Sequence, residues 1–378
     1  MRVGTLRNNG PGRAEGGFGR RSRRFILPKL RTMVSRRHYP FLLAAGVGLA
    51  YALTARFIFA SEYASVKVFD SGLLSVAFLL VMPLGLGALT AHFIPRTASK
   101  WWRLAWAPFL VVLIFVLAAF LFHLEGIICL IIIGPAFLLM ASLGAVVYSV
   151  ISDKWAKRRD KTLVVAAFAL LPFVAGPIES RFDNPTDFRR VENTVLINAP
   201  AAVVWQHIIR VAPIRAHDLG HSFIDDIGFP RPVEATLTRE GVGGVRHATF
   251  EGGVEFIETV DEWVPLQRIS FSIVPNTATI PPTTFDEHVI VGGRFFDVLR
   301  GTYELRPAGA GRTRLVLHSQ QRLSTHLNWY AGLWTSYVMR EIQGRILAVL
   351  KRRCEAPAAA VAARGPGAKV LGGIGPAR

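Results

Sequence analysis

His326–Glu355 reads HLNWYAGLWTSYVMREIQGRILAVLKRRCE. At about 3.6 residues per turn this is a helix of roughly eight turns. Tyr330, Trp334, Val338, Ile342, Ile346 and Val349 fall on one stripe, aromatic in its first half and aliphatic in its second. So apolar a stripe has to be covered. The segments just before it have strand character, so the cover is expected to be a sheet.

Working upstream, Val233–Arg239, Val245–Glu251, Val254–Trp263, Arg268–Val274, His288–Val291, Phe295–Arg306 and Arg312–Leu323 read as strands. Gly241–Gly244, Gly252-Gly253, Pro265–Gln267 and Pro307–Gly311 are turns too short for crossovers, which predicts antiparallel hairpins. A loop rich in Thr and Pro spans Asn276–Thr284. Earlier, Val191–Ala199 alternates as a strand. Pro200 then opens a helix over Ala201–Val211, with Val204, Ile208 and Val211 in period. A helical or irregular piece follows to Phe229. The order is strand, helix pair, about six strands, long helix.

That order, with VLINAPAAVVWQHI at Val195–Ile208, GVGGVRHATFEGGVEFIETVDEWVP at Gly241–Pro265 and GTYELRPAGAGRTRLVLHS at Gly301–Ser319, resembles the START-like helix-grip (SRPBCC) superfamily of polyketide cyclases, lipid-transfer domains and plant pollen allergens. The resemblance runs from Val191 to Glu355. It implies a curved antiparallel sheet around the closing helix, with a cavity between them. Geometry argues the same way, since a sheet curled about one helix leaves space that only large side chains fill, and such mouths are common ligand sites. The superfamily hosts enzymes, carriers and sensors on one scaffold, so the resemblance speaks to fold more than to function.

The first half of the chain differs in kind. The 378 residues are 51% hydrophobic, and the apolar ones concentrate between Phe41 and Ile178 in runs nearly free of charge. That is membrane composition. Five spans are expected, at 41–60, 72–94, 104–122, 127–151 and 162–178, with Pro83 as a kink and 123–126 as a tight link. A basic tail over 1–39, a linker over 179–190 and a disordered tail over 356–378 complete the organisation. The fold class is therefore an α-helical transmembrane bundle followed by an α+β helix-grip domain.

The formal net charge of +18 sits mainly in the tail and in alternate short loops. Arg96, Lys100 and Arg103 mark one such loop, and Lys154, Lys157, Arg158, Arg159 and Lys161 another. By the rule that Lys and Arg stay on the cytoplasmic side, five spans give a cytoplasmic N-terminus and an extracytoplasmic C-terminal domain in a multi-pass protein of a cytoplasmic membrane, whereas an interfacial 162–178 would leave the domain cytosolic. The membrane surface accounts for the charge better than nucleic acid does, so lipids are expected partners and nucleic acid is not. Arg56 lies near a span end, where it can snorkel. The spans carry no carboxylate pair and no paired broken helices, which argues against transport.

Candidate binding residues come from the domain. Tyr330 and Trp334 sit where the closing helix would form the lip of a pocket. Arg246, Glu258 and Tyr303, if they point inward, supply the few polar groups an apolar pocket uses for specificity. Arg246 and Glu258 read equally as an ordinary cross-strand pair. Trp205 and Trp263 divide between core and lining, and strand alternation turns His318 away from Tyr303. His217 and His221, with Asp218, Asp225 and Asp226 nearby, have a spacing that can hold zinc on a helix, but Gly220 and Pro213 break the helix, so a solvated loop is expected. No metal site, no cofactor and no disulfide between Cys129 and Cys354 is expected, and no catalytic constellation declares itself. Three functions follow from this. The first is a membrane-anchored protein holding a hydrophobic or lipid-like small molecule. The second is a cyclase- or dehydratase-like enzyme using Arg246, Glu258 and Tyr303 on an apolar or aromatic substrate. The third is a recruiter of a protein partner, with the cavity filled by its own side chains.

Overall fold

In the computed structural model, which describes residues 38–60, 72–154, 160–276 and 291–363 (side chains through 356), the apolar runs become helices α1 (Tyr39–Ala60), α2 (Ala77–Phe93), α3 (Trp102–Leu121), α4 (Ile127–Lys154) and α5 (Asp160–Glu179). Four of them are long and apolar enough to cross a membrane; α2 is shorter. The expected second span, 72–94, is thus interrupted. Its first residues, Gly72–Leu74, form a separate 3-10 turn. The α2 N-terminus is then capped by Glu179, whose carboxylate accepts from the Val76 and Ala77 amides at 2.7 and 2.9 Å. Segment 162–178, by contrast, extends into a full-length helix across Pro172 and Pro177.

Two prolines leave a specific mark. Ala77–Val81 and Trp102–Trp106 are π-helical, just before Pro83 and Pro108. A proline lacks an amide donor and its ring crowds the carbonyl four residues back; widening the preceding turn relieves both. Helices α2 and α4 meet through glycines. A Cβ on Gly87 would lie 1.8 Å from the Ala141 carbonyl oxygen, and one on Gly144 would lie 2.0 Å from that of Leu84. Close backbone approach of this kind is how helices associate where no hydrophobic effect drives them.

The bundle has two unlike ends. At one, Arg96 pairs with Asp153, with Arg103 at 3.9 Å. At the other, Arg56 turns inward instead of snorkelling, bonding Glu125 at 3.1 Å and the Leu124 carbonyl at 2.7 Å. The C-terminal domain sits on this second end.

There the sheet forms from β1 (Thr186–Ile197), β2 (Pro232–Leu237), β3 (Val245–Phe250), β4 (Glu255–Val264), β5 (Arg268–Pro275), β6 (Phe296–Pro307) and β7 (Thr313–Ser324), in the order β1-β7-β6-β5-β4-β3-β2 and antiparallel throughout. Strand β1 starts inside the stretch expected as linker, because Thr186–Arg190 pair with the end of β7. The expected strand 288–291 lies outside the described residues except for Val291, which bridges to Phe296. Register breaks at Val260/Glu262 and Val298/Arg300 add the local twist that bends the sheet. Helices α6 (Ala201–Ile209), α7 (Ala216–Leu219) and α8 (Phe223–Asp226) close one end. The long helix α9, Asn328–Ala363, runs past Glu355 into the stretch expected as tail.

The concave side is filled at one end only. Ile197, Ile208, Ile209, Ile269 and Leu315, fully buried, pack with Leu347, Val349 and Leu350 of α9. Trp205 and Trp263 join this core edge-to-face, 5.1 Å between ring centres. Toward the bundle the packing opens.

Candidate functional site: a cavity shared by domain and bundle

The stripe that predicted α9 divides along its length. Val338 and Val349 are buried, whereas Tyr330, Trp334, Ile342 and Ile346 are only partly covered because they face an open space under the helix. That space is a cavity of about 280 Å³. Its walls include Phe271, Leu317 and Tyr303 of the sheet, the α9 face from Tyr330 to Ile346, and four residues of the apolar helical region: Leu74, Leu79, Ile132 and Ile133. The interior is therefore not filled by its own side chains, which removes the ground for the filled-cavity reading.

All five residues singled out from the sequence line this cavity. Arg246 and Glu258 oppose each other in the β3–β4 ladder, so the cross-strand pair and the inward orientation hold together. Both are buried, at 3% and 7% exposure, as is Tyr303 at 3%. The Arg246 guanidinium lies over the Phe271 ring, 5.2 Å from its centre, and 5.8 Å from that of Tyr303. Burial pushes the Glu258 carboxyl up from its ordinary range, opposed by Arg246. Burial also raises the Tyr303 hydroxyl. For Arg246, burial works against the charge, and Glu258 and Tyr303 more than restore it. Its Nε has no hydrogen-bond partner among the described residues. A buried donor without a partner in a mostly apolar space is a group that a hydrogen-bond acceptor would satisfy.

The sequence did not disclose the other polar groups. Gln343 donates to the Ser319 hydroxyl at 2.9 Å, leaving its own carbonyl oxygen and the Thr335 hydroxyl without partners among the described residues. Nor did it disclose how the domain is seated. Tyr330 donates from its hydroxyl to the Ile132 carbonyl of α4 at 2.5 Å. Leu327 is buried among bundle residues, and Ile128 packs on Val254. His326 lies 4.0 Å from Glu179.

The His217 and His221 loop goes elsewhere. His221 meets Asp226 at 2.9 Å, and Asp225 turns to the buried Arg345 of α9, with bonds of 2.6 and 2.8 Å. A charge on the covered side of α9 demands such a partner, and that was the available signal. Among the described residues no group of three His, Cys, Asp or Glu side chains is placed to hold a metal ion.

A curled antiparallel sheet gripping one C-terminal helix over an internal cavity gives the C-terminal half a helix-grip architecture, preceded by a bundle of apolar helices. Residues 189–355 match the family described as polyketide cyclase / dehydrase and lipid transport. The chain is also similar to solved structures. Norcoclaurine synthase from Thalictrum flavum shares 11% identity over 44% of this chain and 94% of that one, with a TM-score of 0.29. The Zhui aromatase/cyclase from Streptomyces sp. R1128 shares 20% over 50% and 100%, TM-score 0.29. A protein of Thermus thermophilus shares 18% over 45% and 99%, TM-score 0.28. No curated protein matches the chain.

Proposed function

We propose that the protein is a membrane-anchored binding protein that holds one hydrophobic or lipid-like small molecule in its helix-grip cavity. The observation that carries this reading is the cavity itself: an open apolar space whose walls come from both the domain and the bundle, with Arg246, Glu258 and Tyr303 converging inside it. Apolar walls with few, convergent polar groups are the usual makeup of a small-molecule site. Tyr330 and Trp334 form its lip. Lys and Arg in alternate short loops support an N-terminus in the cytoplasm and a domain outside it. Protease added to intact cells expressing the chain then cuts the domain; complete protection would reverse the orientation. Binding is tested by native mass spectrometry of the full chain released from detergent. One retained apolar molecule per chain is the expected result, and an empty chain after incubation with mixed fatty acids would refute the reading.

A second reading has its own observation. A carboxyl raised by burial beside a buried Arg and Tyr is what proton transfer to or from a polarised carbonyl needs. On this reading the domain is a cyclase- or dehydratase-like enzyme. It requires that the full chain accelerate deuterium exchange next to the carbonyl of an apolar ketone such as 2-tetralone, and that Glu258→Gln abolish the acceleration.

A further inference from the structure

The membrane-facing side of α4 runs directly into the cavity. Ile128, Ile132, Pro135 and Leu139 recur at intervals of four, three and four residues and so lie along one side of the helix. Their surroundings change halfway. Leu139 is 65% exposed and Pro135 is exposed as well, on a side that Leu143 continues. Ile132 lines the cavity, and Ile128 is buried against the domain. A helix side that would face hydrocarbon at its middle thus becomes cavity wall near its end, with no polar residue between. Leu79 of α2 and Tyr330 of α9 line the same region, and the Tyr330 hydroxyl is tied to the Ile132 carbonyl.

We infer that the ligand enters and leaves this cavity sideways, from the hydrocarbon of the bilayer along α4, and is a bilayer-resident molecule with one slim apolar chain and one hydrogen-bond acceptor. This rests on the binding reading above. The route follows from continuity: an apolar chain passing from Leu139 to Ile132 meets only apolar surface, whereas an aqueous route would hydrate every methylene in turn. The slim chain follows from size, since about 280 Å³ lies just below the ~300–1,000 Å³ of ordinary ligand pockets. The acceptor follows from the idle Arg246 Nε. Tyr330 is the latch on the passage.

The test reconstitutes the full chain in phosphatidylcholine vesicles carrying a trace of palmitic acid with a photoreactive diazirine at its methyl end, and follows labelling of the cavity over time. Ile132→Trp and Leu79→Trp narrow the passage and slow labelling at least tenfold, reaching the wild-type extent at long times. Ile346→Trp fills the interior and lowers the final extent without slowing the approach to it. Tyr330→Phe frees the latch and speeds labelling severalfold; should the Trp variants fail to insert, this variant carries the test, and an unchanged rate overturns the inference. Wild-type rates in correctly inserted Ile132→Trp and Leu79→Trp also overturn the lateral passage, while leaving binding intact. A wild-type chain that takes no label overturns the passage and the binding reading together.

Discussion

Arg246 on β3 stands opposite Glu258 on β4, and the two form an ion pair inside a mostly apolar cavity. For stability alone this is a poor arrangement, because desolvating two charges consumes most of what their attraction returns. Replacing only one leaves the other buried without a partner. Glu258→Gln or Arg246→Met is therefore expected to destabilise the domain by about 3–5 kcal/mol. The double variant Arg246→Met with Glu258→Leu is expected to recover most of that loss while losing any ligand held by its acceptor. Denaturant melts of the three variants decide the matter. A double variant no more stable than the singles would make the pair a structural element rather than a binding one.

Gly301 of β6 is paired with Phe271 of β5, and a Cβ there would sit 2.5 Å from the Phe271 ring. The ring covers this glycine and also lies beneath Arg246. Gly301→Ala must push Phe271 toward the cavity, at an expected cost of about 1–3 kcal/mol for an overpacked core. The same push should lower uptake of an apolar fluorophore. Unchanged stability with unchanged uptake would show that the ring moves freely.

Much of this architecture was legible in the sequence, and the reason is local periodicity. The α9 stripe, the hairpin turns and the alternation of β3 to β7 are near-neighbour patterns, and the six strands now fall within a few residues of their expected positions. What escaped was long-range. Tyr330 and Ile132 are separated by 198 positions, and no period in either segment points to the other. The Glu179 cap on α2 escaped for the same reason. Local chemistry was missed in one place: Arg345 interrupts the covered side of α9, and its burial at 8% exposure required the partner that Asp225 provides.

The glycine contacts between α2 and α4 set a separate expectation. With the Ala141 and Leu84 carbonyl oxygens only 1.8 and 2.0 Å from where a Cβ would lie, Gly87→Val and Gly144→Val cannot be accommodated by side-chain movement. The helices must separate, and the Ile132 end of α4 moves with them. Both variants should lower the melting temperature of the detergent-solubilised chain and expose α2 to protease. Gly46→Ala, with nothing within 4 Å, is the matched control and should be silent.

Two histidines give the domain a pH dependence of definite sign. Burial lowers the His318 pKa from its usual 6.5, and Arg190 lowers it further against Glu192 and Glu304. Burial also lowers that of His207, followed by Arg353. Below about pH 6.5 these two sites therefore bind more protons in the unfolded chain than in the folded one, and their contribution to stability falls as pH falls, while the raised Glu258 and Asp297 carboxyls act in the opposite sense. Both imidazoles are partly solvated, so the effect is modest. His318→Asn and His207→Gln should each flatten the decline in denaturation midpoint between pH 7 and pH 5. Profiles parallel to wild type would show that neither imidazole drives it.

Trp334 supplies the last expectation. It is partly covered although it lies on the inner stripe of α9, one turn beyond Tyr330, because the space it faces is empty. A core tryptophan truncated to alanine costs stability through lost packing, about 3–5 kcal/mol. A lip residue over a cavity has less packing to lose and more ligand contact. Trp334→Ala is thus expected to cost under about 2 kcal/mol in folding but to weaken apolar-ligand binding about tenfold, near 1.4 kcal/mol. Trp205→Ala is the contrasting case, since Trp205 is 4% exposed and packs within the filled end of the domain. It should lose several kcal/mol of stability. Fluorophore titration and melting of both variants separate the roles; equal losses of stability would return Trp334 to the core.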